Sequence, residues 1–138
     1  MIKTETVKKV KTFDANNKEN GFLIELFKDG DKTAVYLTAA KPGAFKGYHL
    51  HRVRAARYVC IRGRMKIITY QNKKRQEFVL DAQKPGRLFI PNNVATGLEN
   101  IGDEEAWLIN YPEPPYNPNL KDEQVEYTEA ELEAGVVK

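Results

Sequence analysis

Residues 43–63 read GAFKGYHLHRVRAARYVCIRG, and they hold both histidines of the chain, His49 and His51. In an extended strand alternate side chains share a face, so the two imidazoles point one way and Leu50 points the other. The apolar run Arg57 to Ile61 follows, and Arg62-Gly63-Arg64 makes a tight connection into a second β-rich run, Met65 to Tyr70. On the N-terminal side, Gly21 to Lys28 and Thr33 to Ala40 flank Asp29-Gly30-Asp31, the pattern of a hairpin with an Asp-Gly turn. On the C-terminal side, Arg75 to Leu80, Arg87 to Ile90, Ala95 to Glu99 and Glu105 to Tyr111 follow at short intervals. Strands at this cadence, with Gly, Asn and Pro between them, predict an all-β sandwich or barrel.

The character changes at Pro112. Pro112, Pro114, Pro115 and Pro118 make the segment 112–118 extended and irregular. Thr128, with Glu131 three residues on and Gly135 as a stop, then predicts one short C-terminal helix over about 128–134. The expectation is a single domain over 1–138, with the barrel at about 20–111.

Composition narrows the chemistry. No apolar run approaches the ~18–20 residues of a membrane span, and the start MIKTETVKKVK has no hydrophobic signal core. A lone cysteine, Cys60, cannot close an internal disulfide and fits a reducing cytoplasm; within Tyr58-Val59-Cys60-Ile61 it reads as an inert buried thiol. Trp107, in an Ala-Trp-Leu-Ile strand, reads as core. Residues 1–99 carry 20 basic against 9 acidic side chains, and residues 100–138 carry 2 against 10. Between Asp31 and Glu77 there is no acidic residue, and such a block favours an anionic partner. An isoelectric point near 8.9 and the lack of a recognition-helix pattern disfavour nucleic acid. Two imidazoles on one inward face can hold a metal or move protons near neutral pH.

The spacing Gly43, His49-Leu50-His51, Gly63 resembles the first motif of the cupins, whose fold is a jelly-roll, or double-stranded β-helix, barrel. The second cupin motif falls on Pro91, Asn93, Thr96 and Asn100. Ala56 stands where the first motif has a glutamate, Thr96 where the second has a histidine, and Asn93 where it has a glycine. Two of the usual four metal ligands are therefore gone, which disfavours a metal-dependent reaction.

Among cupins that work without metal or cofactor, the chain resembles the dTDP-4-dehydrorhamnose 3,5-epimerases and the dTDP-4-keto-6-deoxyglucose 3,4-ketoisomerases. The likeness covers about residues 20–120, through Ala34 to Tyr36, Lys46 to His51, Tyr58 to Tyr70, Leu88 to Pro91 and the ending Ile109 to Asn117. It implies a nucleotide-diphosphate sugar as substrate, with His49 as catalytic base and His51 beside it. Tyr36 is implied as a site residue, and Tyr111 as general acid with Tyr116 behind it. Lys46 replaces the arginine of the family's R-G-x-H element, keeping the charge without the fork. Arg57 and Arg62 join Lys46 as candidate diphosphate ligands, although Arg62 and Arg64 flank a hairpin glycine where arginines are commonly solvated. Tyr58 or Phe45 is a candidate to stack on the nucleotide base. The carboxylate that orients the family's histidine has Glu113 and Asp122 as candidates. The resemblance also implies a homodimer paired through sheet edges, with segment 2–13 as a candidate exchanged strand. Three readings stay open: a metal-free sugar-nucleotide epimerase or isomerase, a non-catalytic cupin binding an anionic small molecule, and a nucleic-acid binder.

Overall fold

A computed structural model describes residues 2, 4–6, 8–29, 33–114 and 116–138. Among them the elements run, in chain order, β1 Lys8–Phe13, β2 Glu19–Asp29, β3 Thr33–Ala40, β4 Phe45–His51, β5 Ala56–Arg62, β6 Arg64–Gln71, β7 Lys74–Asp81, β8 Arg87–Ile90, β9 Ala95–Asn100, β10 Ala106–Asn110, β11 Gln124–Glu126 and α1 Glu129–Ala134. Two antiparallel sheets form a jelly roll. One has the order β1-β2-β3-β10-β5-β8, and the other β11-β4-β9-β6-β7. Gly30 and Asp31 of the expected turn lie outside the described residues; β2 and β3 on either side pair from Gly21 with Ala40 to Asp29 with Thr33. No helix among the described residues is long and apolar enough to cross a membrane.

Alternation along each strand sorts the side chains. Tyr58 and Cys60 of β5, Met65 and Ile67 of β6 and Leu108 of β10 point inward and form one buried cluster between the sheets. A second cluster lies on the outer face of the five-stranded sheet, where Tyr48, Ile68, Tyr70 and Ala95 meet Tyr127 and Leu132 from the C-terminal segment. α1 carries the expected capping box: the Thr128 hydroxyl accepts from the Glu131 N–H, the Glu131 carboxylate accepts from the Thr128 N–H, and Gly135 ends the helix at φ 77°.

Trp107 departs from its expected core position. It stands on the outer face of the six-stranded sheet, opposite Ala39, half-buried, with Nε1 donating to Glu105 Oε1 at 2.7 Å. Its strand alternates, and the inward positions went to Ala106 and Leu108.

β4 carries the histidines and is shaped by a glycine. Gly47 has φ 119°, and a Cβ there would stand 2.7 Å from the Thr96 carbonyl oxygen of β9. The β4–β9 register shifts between Lys46 and His49 at this point, so Lys46 and His49 both face inward although they are three residues apart. At the mouth, Asn93 adopts φ 64° and its N–H donates to the His51 carbonyl at 2.7 Å. A left-handed position explains why Asn is tolerated where the cupin motif has Gly.

Candidate active site

His51 and His49 stand on the inner wall of the five-stranded sheet. β11 pairs with β4 so that Gln124 lies opposite His51 and Glu126 opposite His49. This three-residue edge strand, with Glu123 before it, brings acidic and amide groups to both rings.

Glu123 is buried and saturated with donors. Its Oε2 accepts from the backbone N–H groups of Val53 at 3.2 Å and Arg54 at 3.1 Å, and its Oε1 accepts from Arg54 Nε at 2.8 Å. Burial pushes the carboxyl up, but these donors together with His51 outweigh it and hold it down at about 2. His51 Nδ1 lies 3.1 Å from Glu123 Oε1 and 3.0 Å from Arg54 Nη2. In the tautomer with Nδ1–H donating to the ionised carboxylate, Nε2 is left as a free base. Burial and the Arg54 charge depress the His51 imidazolium more than Glu123 supports it, so the ring is neutral at pH 7.

His49 has a different partner. Gln124 Nε2 lies 3.1 Å from its Nδ1, while the exposed Glu126 carboxylate is 3.9 Å away. An amide N–H donating to Nδ1 places the ring proton on Nε2. Burial lowers the His49 pKa as well, against the pull of Glu126. Thr96 stands directly across β9 from His49, at the position where the cupin motif has its second-motif histidine. Among the described residues no three or more His, Cys, Asp or Glu side chains gather as a metal centre would need.

The facing wall contributes tyrosines. Glu25, Tyr36, Asn110 and Tyr58 form one inward row across β2, β3, β10 and β5. Burial first, then Glu25, raise the Tyr36 phenol, with Arg54 opposing, so it keeps its proton at pH 7. Tyr58 is buried in the core and pushed up to about 12 by desolvation, which leaves its ring no open face for a nucleotide base. Tyr116 sits half-exposed with Arg54 Cζ 5.2 Å from its ring. Lys46 reaches into the interior, donating to Thr12 Oγ1 at 2.9 Å and Thr38 Oγ1 at 3.0 Å, and burial lowers its pKa to about 8.

Other expected site residues face elsewhere. Tyr111 follows the inward Asn110 and pairs by its N–H with the Arg57 carbonyl at 3.0 Å, so it lies on the outer side of the sheet, away from the imidazoles. Arg57 is outward too: Nη2 meets Glu113 at 2.9 Å and Cζ lies 5.3 Å from the Phe89 ring. Arg62, over the Trp107 ring, faces Glu104 and Glu105 at 3.7 and 3.8 Å. Phe45 packs against Tyr48 with ring centroids 5.1 Å apart and is not free to stack on a base. Of the two carboxylate candidates, Glu113 is taken by Arg57, while Asp122 offers Arg52 only its backbone carbonyl. The carboxylate at the histidines is the next residue, Glu123. Sequence reading passed over Glu123, Gln124 and Arg54; the polar–apolar alternation of Gln124-Val125-Glu126-Tyr127 ahead of the Thr128 cap was the available signal.

Residues 16–124, which include His49, His51, Arg54 and Glu123, match the family described as the polysaccharide biosynthesis C-terminal domain. The chain is 27% identical over 129 residues to the probable low-salt glycan biosynthesis epimerase Agl13 of Haloferax volcanii, covering 83% of each. Among solved structures it is similar to the capsular polysaccharide assembling protein CapF of Staphylococcus aureus, with a TM-score of 0.73 at 21% identity over 88% of this chain. It covers 32% of that chain, about a third of CapF. It is also similar to a double mutant of ChmJ, a 3'-monoepimerase of Streptomyces bikiniensis, in complex with dTDP: TM-score 0.65, 15% identity, 94% of this chain and 71% of that one. The fold is that of the RmlC-like cupins.

Proposed function

The chain belongs to the polysaccharide biosynthesis C-terminal domain family, and on that premise we propose that it epimerises a nucleotide-linked 4-keto-6-deoxy sugar through an enolate. The observation that carries the reading is the His51–Glu123 pair: a neutral imidazole, oriented by a buried ionised carboxylate, on the inner wall of the barrel.

A ketone at C4 of the sugar acidifies the protons at C3 and C5, because the electron pair left on carbon passes to the carbonyl oxygen. His51 Nε2 takes the proton and becomes imidazolium, stabilised by Glu123 through Nδ1–H. Arg54 supplies positive charge beside the developing enolate, in a site where such charge counts for more than in water. Tyr36, protonated and on the facing sheet, returns a proton to the opposite side of the ring and inverts the carbon. Imidazolium and tyrosinate then re-equilibrate with solvent. Lys46, at about 8, remains largely cationic at pH 7 and extends the positive interior. A protein that only bound its ligand would have no use for a carboxylate that orients a base, and this favours the catalytic reading over the binding one.

A second reading, migration of the ketone, is favoured by a specific observation. His49 and His51 share one wall, and in the tautomer in which His51 Nδ1–H faces Glu123, Nε2 of His49 carries a proton and Nε2 of His51 a lone pair. Such a pair can remove a proton at C3 and deliver one at C4 on the same face, while the O3 hydroxyl proton passes to O4 in the enediolate between the two steps.

The test is NMR of dTDP-4-keto-6-deoxyglucose incubated with the protein in D2O. Deuterium entering C3, C5 or both, with inversion, supports epimerisation, and conversion to a 3-keto sugar selects the second reading. Shift perturbation without exchange leaves a binder. Neither exchange nor binding sinks the proposal for this substrate.

A further inference from the structure

Where the C-terminal segment crosses the outer face of the five-stranded sheet, the two do not close completely. They leave a cavity of about 560 Å³ on the opposite side of β4 from the imidazoles. Its floor is one row of outward side chains, Leu50, Ala95 and Tyr70, which register sets side by side on β4, β9 and β6. Tyr127 and Leu132, with residues 135–138, form the other side.

The body of the cavity is apolar, and its rim is cationic. Arg52, Lys73 and Lys138 stand there with the amides of Gln71, Asn72 and Asn93, and no Asp or Glu lines the cavity. Lys138 is neutralised by Glu131, whose carboxylate lies 2.9 Å from Nζ. Arg52 donates to main-chain oxygens, those of Asp122 and Lys138, both at 2.5 Å. On the neighbouring strands Lys66 and Arg75 share Glu77, whereas Lys73 has no ion pair among the described residues.

Lys73 reaches this place through a strained turn. With Asn72 it joins β6 to β7 as a two-residue hairpin loop closed by the Gln71–Lys74 pair, at φ 51° for Asn72 and 67° for Lys73. A hairpin loop with both residues at positive φ is the usual setting for Asn-Gly. A lysine in the place of that glycine carries the steric cost of a Cβ in the left-handed region. Its stem lies against Gly135, where an added Cβ would stand 2.3 Å from Lys73 Cε, so the residue that ends α1 also leaves room for the lysine along the cavity.

We propose that this cavity binds a small amphipathic anion, its apolar body on the Leu50–Ala95–Tyr70 floor and its sulfonate, phosphate or carboxylate against Lys73 and Arg52. The volume falls within the ~300–1,000 Å³ of small-molecule sites, whose make-up is likewise an apolar lining with a few placed polar groups. Charge decides the class of ligand, because a cation or a neutral molecule leaves Lys73 uncompensated in a rim without a carboxylate. A sugar nucleotide fits poorly, since its hydroxyls would lie on a floor that offers them no partner. The occupant touches both the sheet and the segment that carries Glu123 and Gln124 to the histidines. Arg52 is itself tied to that segment, its N–H donating to the Glu123 carbonyl at 2.8 Å.

The experiment is an NMR titration of the isotope-labelled full chain with naphthalene-1-sulfonate, and with the uncharged naphthalene-1-sulfonamide as control. Saturable shifts are expected at the amides of Leu50, Asn72, Lys73, Asn93 and Gly135. The sulfonamide should bind about tenfold more weakly, the size of one hydrogen bond to a charged group. Lys73→Gly separates the site from the scaffold, because it relieves the turn while removing the ammonium. Its melting temperature should hold or rise, and its affinity for the sulfonate should fall about tenfold. Lys73→Gln, which keeps the stem, should lose as much. Absence of saturable shifts at millimolar probe overturns the proposal. So do shifts centred on Tyr36, His49 and Arg54, which would put the anion inside the barrel, and so does wild-type affinity in both Lys73 variants.

Discussion

The two faces of β4 meet different surroundings although their residues alternate along one strand. Inward, Lys46, His49 and His51 face polar partners: threonine hydroxyls, an amide, a buried carboxylate and a guanidinium. Outward, Tyr48 and Leu50 pack with Tyr70, Ala95, Tyr127 and Leu132, and the Tyr48 hydroxyl donates to Glu129. One C-terminal segment serves both. Glu123, Gln124 and Glu126 reach the imidazoles, and Tyr127 and Leu132 cover the apolar side. Chemistry and stability are thus split between the faces and joined through a single strap of chain, and substitutions should tell the two apart.

The largest expected effect is on the inner face. His51→Ala removes the base while leaving Glu123 paired with Arg54, so deuterium exchange into the sugar should fall by about 10²- to 10⁴-fold. The melting temperature should move little, because the His51 side chain is partly exposed and outside both apolar clusters. A large drop in melting temperature together with retained exchange would break the division between the faces.

The next effect is on the outer face. Leu132 is buried in the second cluster, and truncating a buried leucine costs about 2–5 kcal/mol, with a short terminal helix at the lower end. Leu132→Ala should lower the melting temperature by roughly 5–10 °C. Exchange per folded molecule should stay within about twofold of wild type, since catalytic losses of the general-base kind are at least ~10²-fold. A protein that stays folded but loses exchange would instead show that the strap transmits outer packing to the imidazoles.

The fold was legible because strand alternation is a local property, readable wherever turn residues mark the ends. The histidine pair was legible for the same reason. Placement of the other candidates turned on parity, which a continuous run such as Tyr58-Val59-Cys60-Ile61 hides: Tyr58 and Cys60 go inward, Arg57 and Ile61 outward. The same one-residue step separates inward Asn110 from outward Tyr111. Glu123 was hidden by distance. It meets Arg54 and His51 across 69 and 72 residues of chain, and only the docking of β11 on the β4 edge brings them together. The resemblance pointed to His49 as the base, yet the buried carboxylate stands beside His51.

The smallest effect tests the buried carboxylate of the inner face. Glu123→Gln keeps the shape of the side chain but removes the charge that orients His51, and a loss of about tenfold in exchange is expected, at the low end for an orienting group. Its stability signature is sharper than its kinetic one. The Glu123 carboxyl is held at about 2 in the folded chain against 4.5 for an unperturbed group. A carboxyl depressed by folding contributes its stability above the unfolded value and loses it as pH falls toward the folded one. Wild type should therefore lose this contribution between pH 4.5 and about 2, where the unfolded chain binds a proton and the folded chain does not. In Glu123→Gln that component of the acid slope is gone, and the urea midpoints of the two proteins should converge as pH drops through the window. At pH 7 the variant should be the less stable, because the largely covered Arg54 guanidinium is left with a neutral partner. Parallel midpoints from pH 7 down to 2 would mean that Glu123 is not held ionised by its donors, and the oriented base of the inner face would lose its support.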